Sequence, residues 1–124
     1  MKRFNATAVA GMRALGRLKS GTQNKTEAAY EDTVLKPAMQ AGEILWYKFE
    51  GIKLKLAGNT FLTVDYAVLP RNGVMELHDV KGHRRIYMDD AKVKMKVAAE
   101  SYPFVFKVAF APTRRGTAWE VETV

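Results

Sequence analysis

The period of the hydrophobic pattern changes along the chain, and each change marks an element. Residues 61–69 and 74–80 alternate β-branched and aromatic side chains with polar ones, on either side of Pro70, Arg71, Asn72 and Gly73. That pattern predicts an antiparallel hairpin, because Asn-Gly tolerates the positive φ that tight turns need. Further on, Ala91, Met95, Ala98 and Tyr102 recur at helical spacing and predict an amphipathic helix over 89–102. Residues 104–110, after Pro103, read as a core strand, and 118–124 as an edge strand or a strand that pairs with another subunit. Upstream, a helical pattern spans 24–42, with Ala28, Leu35 and Met39 on its buried side and Pro37 expected to bend or divide it. Two short runs, 45–49 and 52–56, predict a second hairpin around Glu50-Gly51, with Lys48, Lys53 and Lys55 facing water. Trp46 and Trp119 are expected to be packing residues. The mixture of helices and strands predicts an α/β protein.

The first hairpin carries the chemistry. A three-residue loop over 71–73 sets Asp65 directly opposite Asp79, where facing Cβ atoms stand about 4.5–5.5 Å apart. Side chains alternate faces with a period of two, so Lys81 shares the face of Asp79. Two carboxylates facing each other repel, and burying them without a partner is costly unless a cation neutralises them. Mg²⁺, with Mn²⁺ as its substitute, suits one or two carboxylates completed by water and phosphate oxygens. A nearby lysine can orient the attacking water or stabilise developing charge. The arrangement points to phosphodiester hydrolysis. The tripeptide Asp79-Val80-Lys81 is weak evidence alone, since a solvated strand end with an exposed ion pair has the same sequence.

Glu27 could supply a third carboxylate, but Asn24 stands three positions before it in a capping-box arrangement. Both readings stay open. On the helix over 89–102, Lys92 and Lys96 lie together while Lys94 projects elsewhere and is the best placed to reach a site. His78 alternates to the face opposite Asp79, which suits a structural or partner-facing role. Gly82-His83-Arg84-Arg85 reads as a loop that contacts DNA, or as a solvated charge run. There is no His-x-Cys or paired-His spacing to support a zinc site.

Taken in order, NKTEAAYE with Glu27, TVDYAVL with Asp65, HDVKG with Asp79-Val80-Lys81-Gly82 and a lysine-bearing helix resemble the PD-(D/E)XK nuclease superfamily. Small phage-encoded endonucleases and Holliday junction resolvases are the most similar members, over roughly residues 24–110. Val64 replaces the proline that names the motif, and Asp79 stands where close relatives often have glutamate. The resemblance implies a single restriction-endonuclease-like domain with a central mixed β-sheet flanked by helices. It also implies metal ligation by Asp65, Asp79 and the Val80 carbonyl with Glu27 assisting, catalysis by Lys81, and a homodimer acting on a four-way DNA junction.

Charge adds an arm to this picture. Lys2, Arg3, Arg13, Arg17, Lys19 and Lys25 all precede Glu27, the first acid, leaving 14 of the 20 Lys and Arg against 13 Asp and Glu. Most of the net charge of +7 is therefore in the opening. Residues 1–22 read as a basic arm for phosphate contacts or a solubility tail, and 23–124 as the nuclease domain. With 124 residues and 48% hydrophobic content, one core is expected. The chain has no cysteine, which excludes disulfides and thiolate metal sites and suits a cytoplasmic home, the host cytoplasm if the protein is phage-encoded. No apolar run approaches the roughly 20 residues of a membrane span. Two alternatives to a resolvase remain: a phage endonuclease acting on linear or single-stranded DNA, and a non-catalytic DNA-binding accessory protein.

Overall fold

The computed structural model describes residues 22–87, 89–114 and 118–124. Lys2, Arg3, Arg13, Arg17 and Lys19 of the expected arm lie outside the described residues. The first helical stretch consists of α1 (Lys25–Tyr30), a π-helical turn (Glu31–Leu35) and α2 (Lys36–Gln40), running on without a break in helical backbone. Pro37 explains the wide turn. Proline has no N–H to donate and its ring crowds the carbonyl four residues back, here that of Thr33. The π turn, closed by the Lys36 N–H on the Glu31 carbonyl, loosens the helix just before Pro37 so that it continues. Leu35 is buried as expected, whereas Met39 is 45% exposed and does not belong to the buried side.

Seven strands follow: β1 (Ile44–Phe49), β2 (Lys53–Ala57), β3 (Thr60–Thr63), β4 (Tyr66–Pro70), β5 (Glu76–Lys81), β6 (Val105–Phe110) and β7 (Glu120–Thr123). Helix α3 (Asp89–Ser101) lies between β5 and β6, and β5 and β6 are parallel, so the three form a β-α-β crossover. The main sheet has the order β1-β4-β5-β6-β7 and is mixed, with antiparallel pairs on both sides of the parallel one. The fold is thus α/β around a mixed sheet of five strands.

The turn at Asn72-Gly73 forms as the sequence predicts. Gly73 has φ +83°, its N–H donates to the Pro70 carbonyl, and Asn72 Oδ1 accepts from the Val74 N–H. The resulting register pairs Tyr66 with His78, Ala67 with Leu77 and Val68 with Glu76. Continued by one residue, it sets Asp65 opposite Asp79.

The second expected hairpin does not form. Instead β1 pairs with β4, and β2 with β3 in a separate two-stranded sheet. The apolar run 61–69 breaks at Val64-Asp65, level with Glu50, which has φ +49° and donates its N–H to the Asp65 carbonyl at 2.7 Å. Packing supplies the reason. Beyond the break, Leu54 and Val64 join Met95 and Ala98 of α3 in one core, so the far half of the ribbon covers the apolar stripe of that helix. Lys48, Lys53 and Lys55 are exposed, as expected.

The middle of the sheet, β4 to β6, is buried on both faces. Leu77, Ala67, Phe106 and Val108 face α3, while Tyr66, Val68, Val80 and Ala109 face Tyr30 and Leu35. His78 sits on the second face, 6% exposed, and its ring joins helix to strand: Nδ1 is 2.8 Å from the Tyr30 hydroxyl and Nε2 is 2.8 Å from Glu76 Oε1. Glu76 also pairs with Lys107 at 3.2 Å, and the His78 hydrogen bond, then Lys107, holds its carboxyl below the usual range against its own burial. An ionised Glu76 only accepts, so Nε2 carries the proton, and in the neutral ring Nδ1 accepts from the Tyr30 O–H. Role and sequence expectation agree: this histidine is structural. Tyr30→Phe leaves Nδ1 buried without its donor and is expected to cost about 1–3 kcal/mol, measurable as a lower urea midpoint at unchanged slope.

Candidate functional site

The site lies at the end of the sheet where β4 bends away from β5. Asp79 is 9% exposed, and its Oδ2 stands 3.1 Å from Lys81 Nζ, two residues along the same face of β5. Asp65, freed from the ladder by the break before β4, turns its Oδ2 to the Val80 N–H at 2.7 Å. The bent chain thus replaces a lost backbone partner with a carboxylate. Burial pushes the Asp65 carboxyl up to about 9, with the charge of Asp79 and the charge and hydrogen bond of Glu27 adding to it; the Val80 N–H opposes them. Burial and the charge of Asp79 thus favour the protonated form of Asp65.

Glu27 reaches Asp65 from the first turn of α1. The capping box is formed in full: the Asn24 N–H donates to Glu27 Oε1 at 2.9 Å, and the Glu27 N–H to Asn24 Oδ1 at 2.8 Å. Cap and site are the same geometry, because the bond to Asn24 fixes the carboxyl while its charge and hydrogen bond act on Asp65. The helix start is pinned by Tyr66, whose hydroxyl donates to the Glu27 carbonyl at 2.7 Å and accepts from Gln23 Nε2 at 2.6 Å. Glu31, one turn on, accepts from Gln23 and from the Tyr47 hydroxyl, which hold its carboxyl below the usual range. At Gly82, a Cβ would stand 4.0 Å from Thr26 Oγ1, so the first turn of α1 abuts the end of β5.

Among the residues proposed from sequence, Glu27, Asp65, Asp79, Val80 and Lys81 come together. Lys94 does not join them: it sits half-buried on α3 with no hydrogen bond or ion pair among the described residues. Lys25, the only described member of the basic opening, is exposed at the start of α1. His83, Arg84 and Arg85 are exposed in the loop after β5, where Arg84 begins a 3₁₀ turn (Arg84–Ile86). The loop lines a cleft of about 220 Å³ with Phe110, Ala111, Thr113 and Glu120. Gln23, Tyr47 and Tyr66 were missed as supports of Glu27, although Tyr66 alternates onto the helix-facing side of its strand and Glu31 follows Glu27 at helical spacing.

Asp65 and Asp79 offer hard oxygen ligands, and Val80 turns its backbone toward the same edge, since its N–H is the one that Asp65 binds. Among the described residues no group of three or more Asp, Glu or His stands ready to enclose an ion. Two carboxyls and a backbone carbonyl are hard oxygen donors of the kind Mg²⁺ takes when water and substrate phosphates complete its shell, and they do not make a closed protein cage. No family model, curated protein or solved structure matches the chain. Among the described residues no helix is long and apolar enough to cross a membrane.

A raised Asp65 pKa means that the folded chain binds a proton the unfolded chain releases, so this contribution to stability is full below about pH 4 and is lost as pH rises through about 9. In chelator, the wild-type melting temperature is expected to fall across that window. Asp65→Asn keeps an acceptor for the Val80 N–H and should remove most of the decline.

Proposed function

We propose that the protein is a metal-dependent endonuclease that hydrolyses DNA phosphodiester bonds, acting on branched DNA as a Holliday junction resolvase. One observation carries this reading: the buried Asp65 carboxyl accepts from the Val80 N–H at 2.7 Å, between Asp79 and Lys81, which pair at 3.1 Å. Two neighbouring buried carboxyls with one lysine between them carry an excess of acid, which a divalent cation would neutralise. The arrangement of helix, hairpin with Asp79-Val80-Lys81 and β-α-β crossover around a mixed sheet supports the restriction-endonuclease-like assignment.

Asp65, Asp79 and the Val80 carbonyl would hold Mg²⁺ or Mn²⁺, with Glu27 assisting from the start of α1. When bound, such an ion polarises a phosphoryl oxygen and lowers the pKa of its water. The chain's own part is positional. Asp79 fixes the Lys81 ammonium at the mouth of the site, where its charge can meet the negative charge that develops on the scissile phosphate. The basic loop at 83–85 gives the neighbouring strand a place to lie. Symmetric cleavage of a four-way junction further calls for two sites related by a two-fold axis, hence a homodimer. A chain that handles DNA in this way would work in the cytoplasm. One second reading is a DNA-binding accessory protein that does not cut, in which Lys81 and not a metal neutralises Asp79.

Cleavage of a labelled four-way junction, beside linear duplex and single strands of the same sequence, separates these readings. Paired nicks on the junction alone in Mg²⁺ are expected. Equal cutting of all three substrates would indicate a general endonuclease, and binding without cutting in Mg²⁺ or Mn²⁺ the accessory protein. Lys81→Ala is expected to slow cutting by roughly 10²–10³-fold while folding normally. Mg²⁺ should also raise the melting temperature of the wild type and not of Asp79→Ala, by mass action on the folded state.

A further inference from the structure

The three cationic or titratable side chains of the loop after β5 are not equivalent. Arg84 is engaged on three sides: its guanidinium lies 4.4 Å above the ring of Phe110, and its Nη2 bonds Glu122 and, at 3.3 Å, Glu120. The partners are laid out by the sheet. Lys81 of β5, Phe110 of β6 and Glu120 of β7 lie side by side in register, so Arg84 spans from the end of the catalytic strand over β6 to the last strand. Arg85, the next residue, lines the same cleft and is exposed, and its side chain forms no ion pair or hydrogen bond among the described residues. An arginine with two carboxylate partners and an aromatic face beneath it must give up those contacts to take a phosphate; an unpaired one need not.

We propose that Arg85 holds the phosphodiester adjacent to the scissile one, and that Arg84 is a positioning residue, a strut by which Glu120 and Glu122 fix the loop. The assignment rests on the nucleic-acid reading of the site, and it divides the basic loop into one binding and one supporting arginine. It also gives β7 a role: the acids of the edge strand withhold Arg84 from DNA and hold Arg85 at the cleft.

The test is the salt dependence of binding, measured by fluorescence anisotropy with a labelled four-way junction in chelator at 50–200 mM salt, with thermal melts to verify folding. Each phosphate contact contributes about 0.9 to the slope of log affinity against log salt. Arg85→Ala should flatten the slope by about 0.9, whereas Arg84→Ala, which removes a support and no phosphate contact, should weaken binding at every salt concentration and leave the slope unchanged. Glu120→Gln with Glu122→Gln should release Arg84 and steepen the slope by a similar amount, an effect abolished by adding Arg84→Ala. Should Arg85→Ala not fold, Arg85→Gln takes its place. A slope unchanged by loss of Arg85, flattened by loss of Arg84, or unmoved by the paired glutamines overturns the division. Binding is read without cleavage, so an inactive protein with the expected slopes would remove only the nuclease reading, and an active one with the opposite slopes only this assignment.

Discussion

Everything at the proposed site depends on the break in β-structure at Val64-Asp65. A strand that continued through this point would run the ribbon straight past α3. The break allows Val64 and Leu54 to cover Met95 and Ala98, and it turns the Asp65 carboxylate onto the Val80 N–H. One bend therefore completes a core and positions a functional group. Burial that favours the fold also raises the Asp65 pKa, so part of the stability gained around α3 is offset by a carboxyl held where its charged form is disfavoured.

The register across β4 and β5 was legible because it follows from short-range chemistry: Asn72-Gly73 defines the turn, and the turn defines which residues face each other. The stripe on α3 was legible for a similar reason, since a helix that buries one face must repeat it at helical spacing. What the pattern hid was pairing across distance. Residues 45–56 carry strand periodicity on both sides of Glu50-Gly51, and periodicity alone cannot tell a tight hairpin from two strands with different partners. Pro37 acts locally, as its chemistry predicts: a π turn stands just before it and divides the helical stretch. Met39, counted on the buried side, lies in the last turn of the stretch, beyond Pro37, and is exposed.

At the site, residue types were legible and residue relationships were not. The motif gave Asp65, Asp79 and Lys81 their neighbourhood because all three sit on one hairpin. Glu27 is remote in sequence, and whether it capped a helix or met Asp65 looked like a choice. The structure makes it one arrangement, because Tyr66 fastens the Glu27 carbonyl to β4 and Asn24 fastens its carboxyl. Lys94 shows the limit of helical geometry as a guide: an angle around α3 states which way a side chain leaves the axis, but not what stands opposite.

The two faces of β5 divide labour in a way that a single strand of six residues makes unavoidable. On one face Asp79 and Lys81 meet the open end of the sheet; on the other, Glu76 and His78 form a closed chain with Lys107 and Tyr30 in which every buried polar group has a partner. The closed side anchors α1 through Tyr30, three residues after Glu27, so the helix that brings the third carboxyl is located by hydrogen bonds to the strand that bears the first lysine. Precision at the open side therefore derives from satisfaction at the closed one. A strand with aliphatic residues at positions 76 and 78 could bury equal area, yet it would give α1 no directional bond to fix its rotation and leave the approach of Glu27 to Asp65 to packing alone.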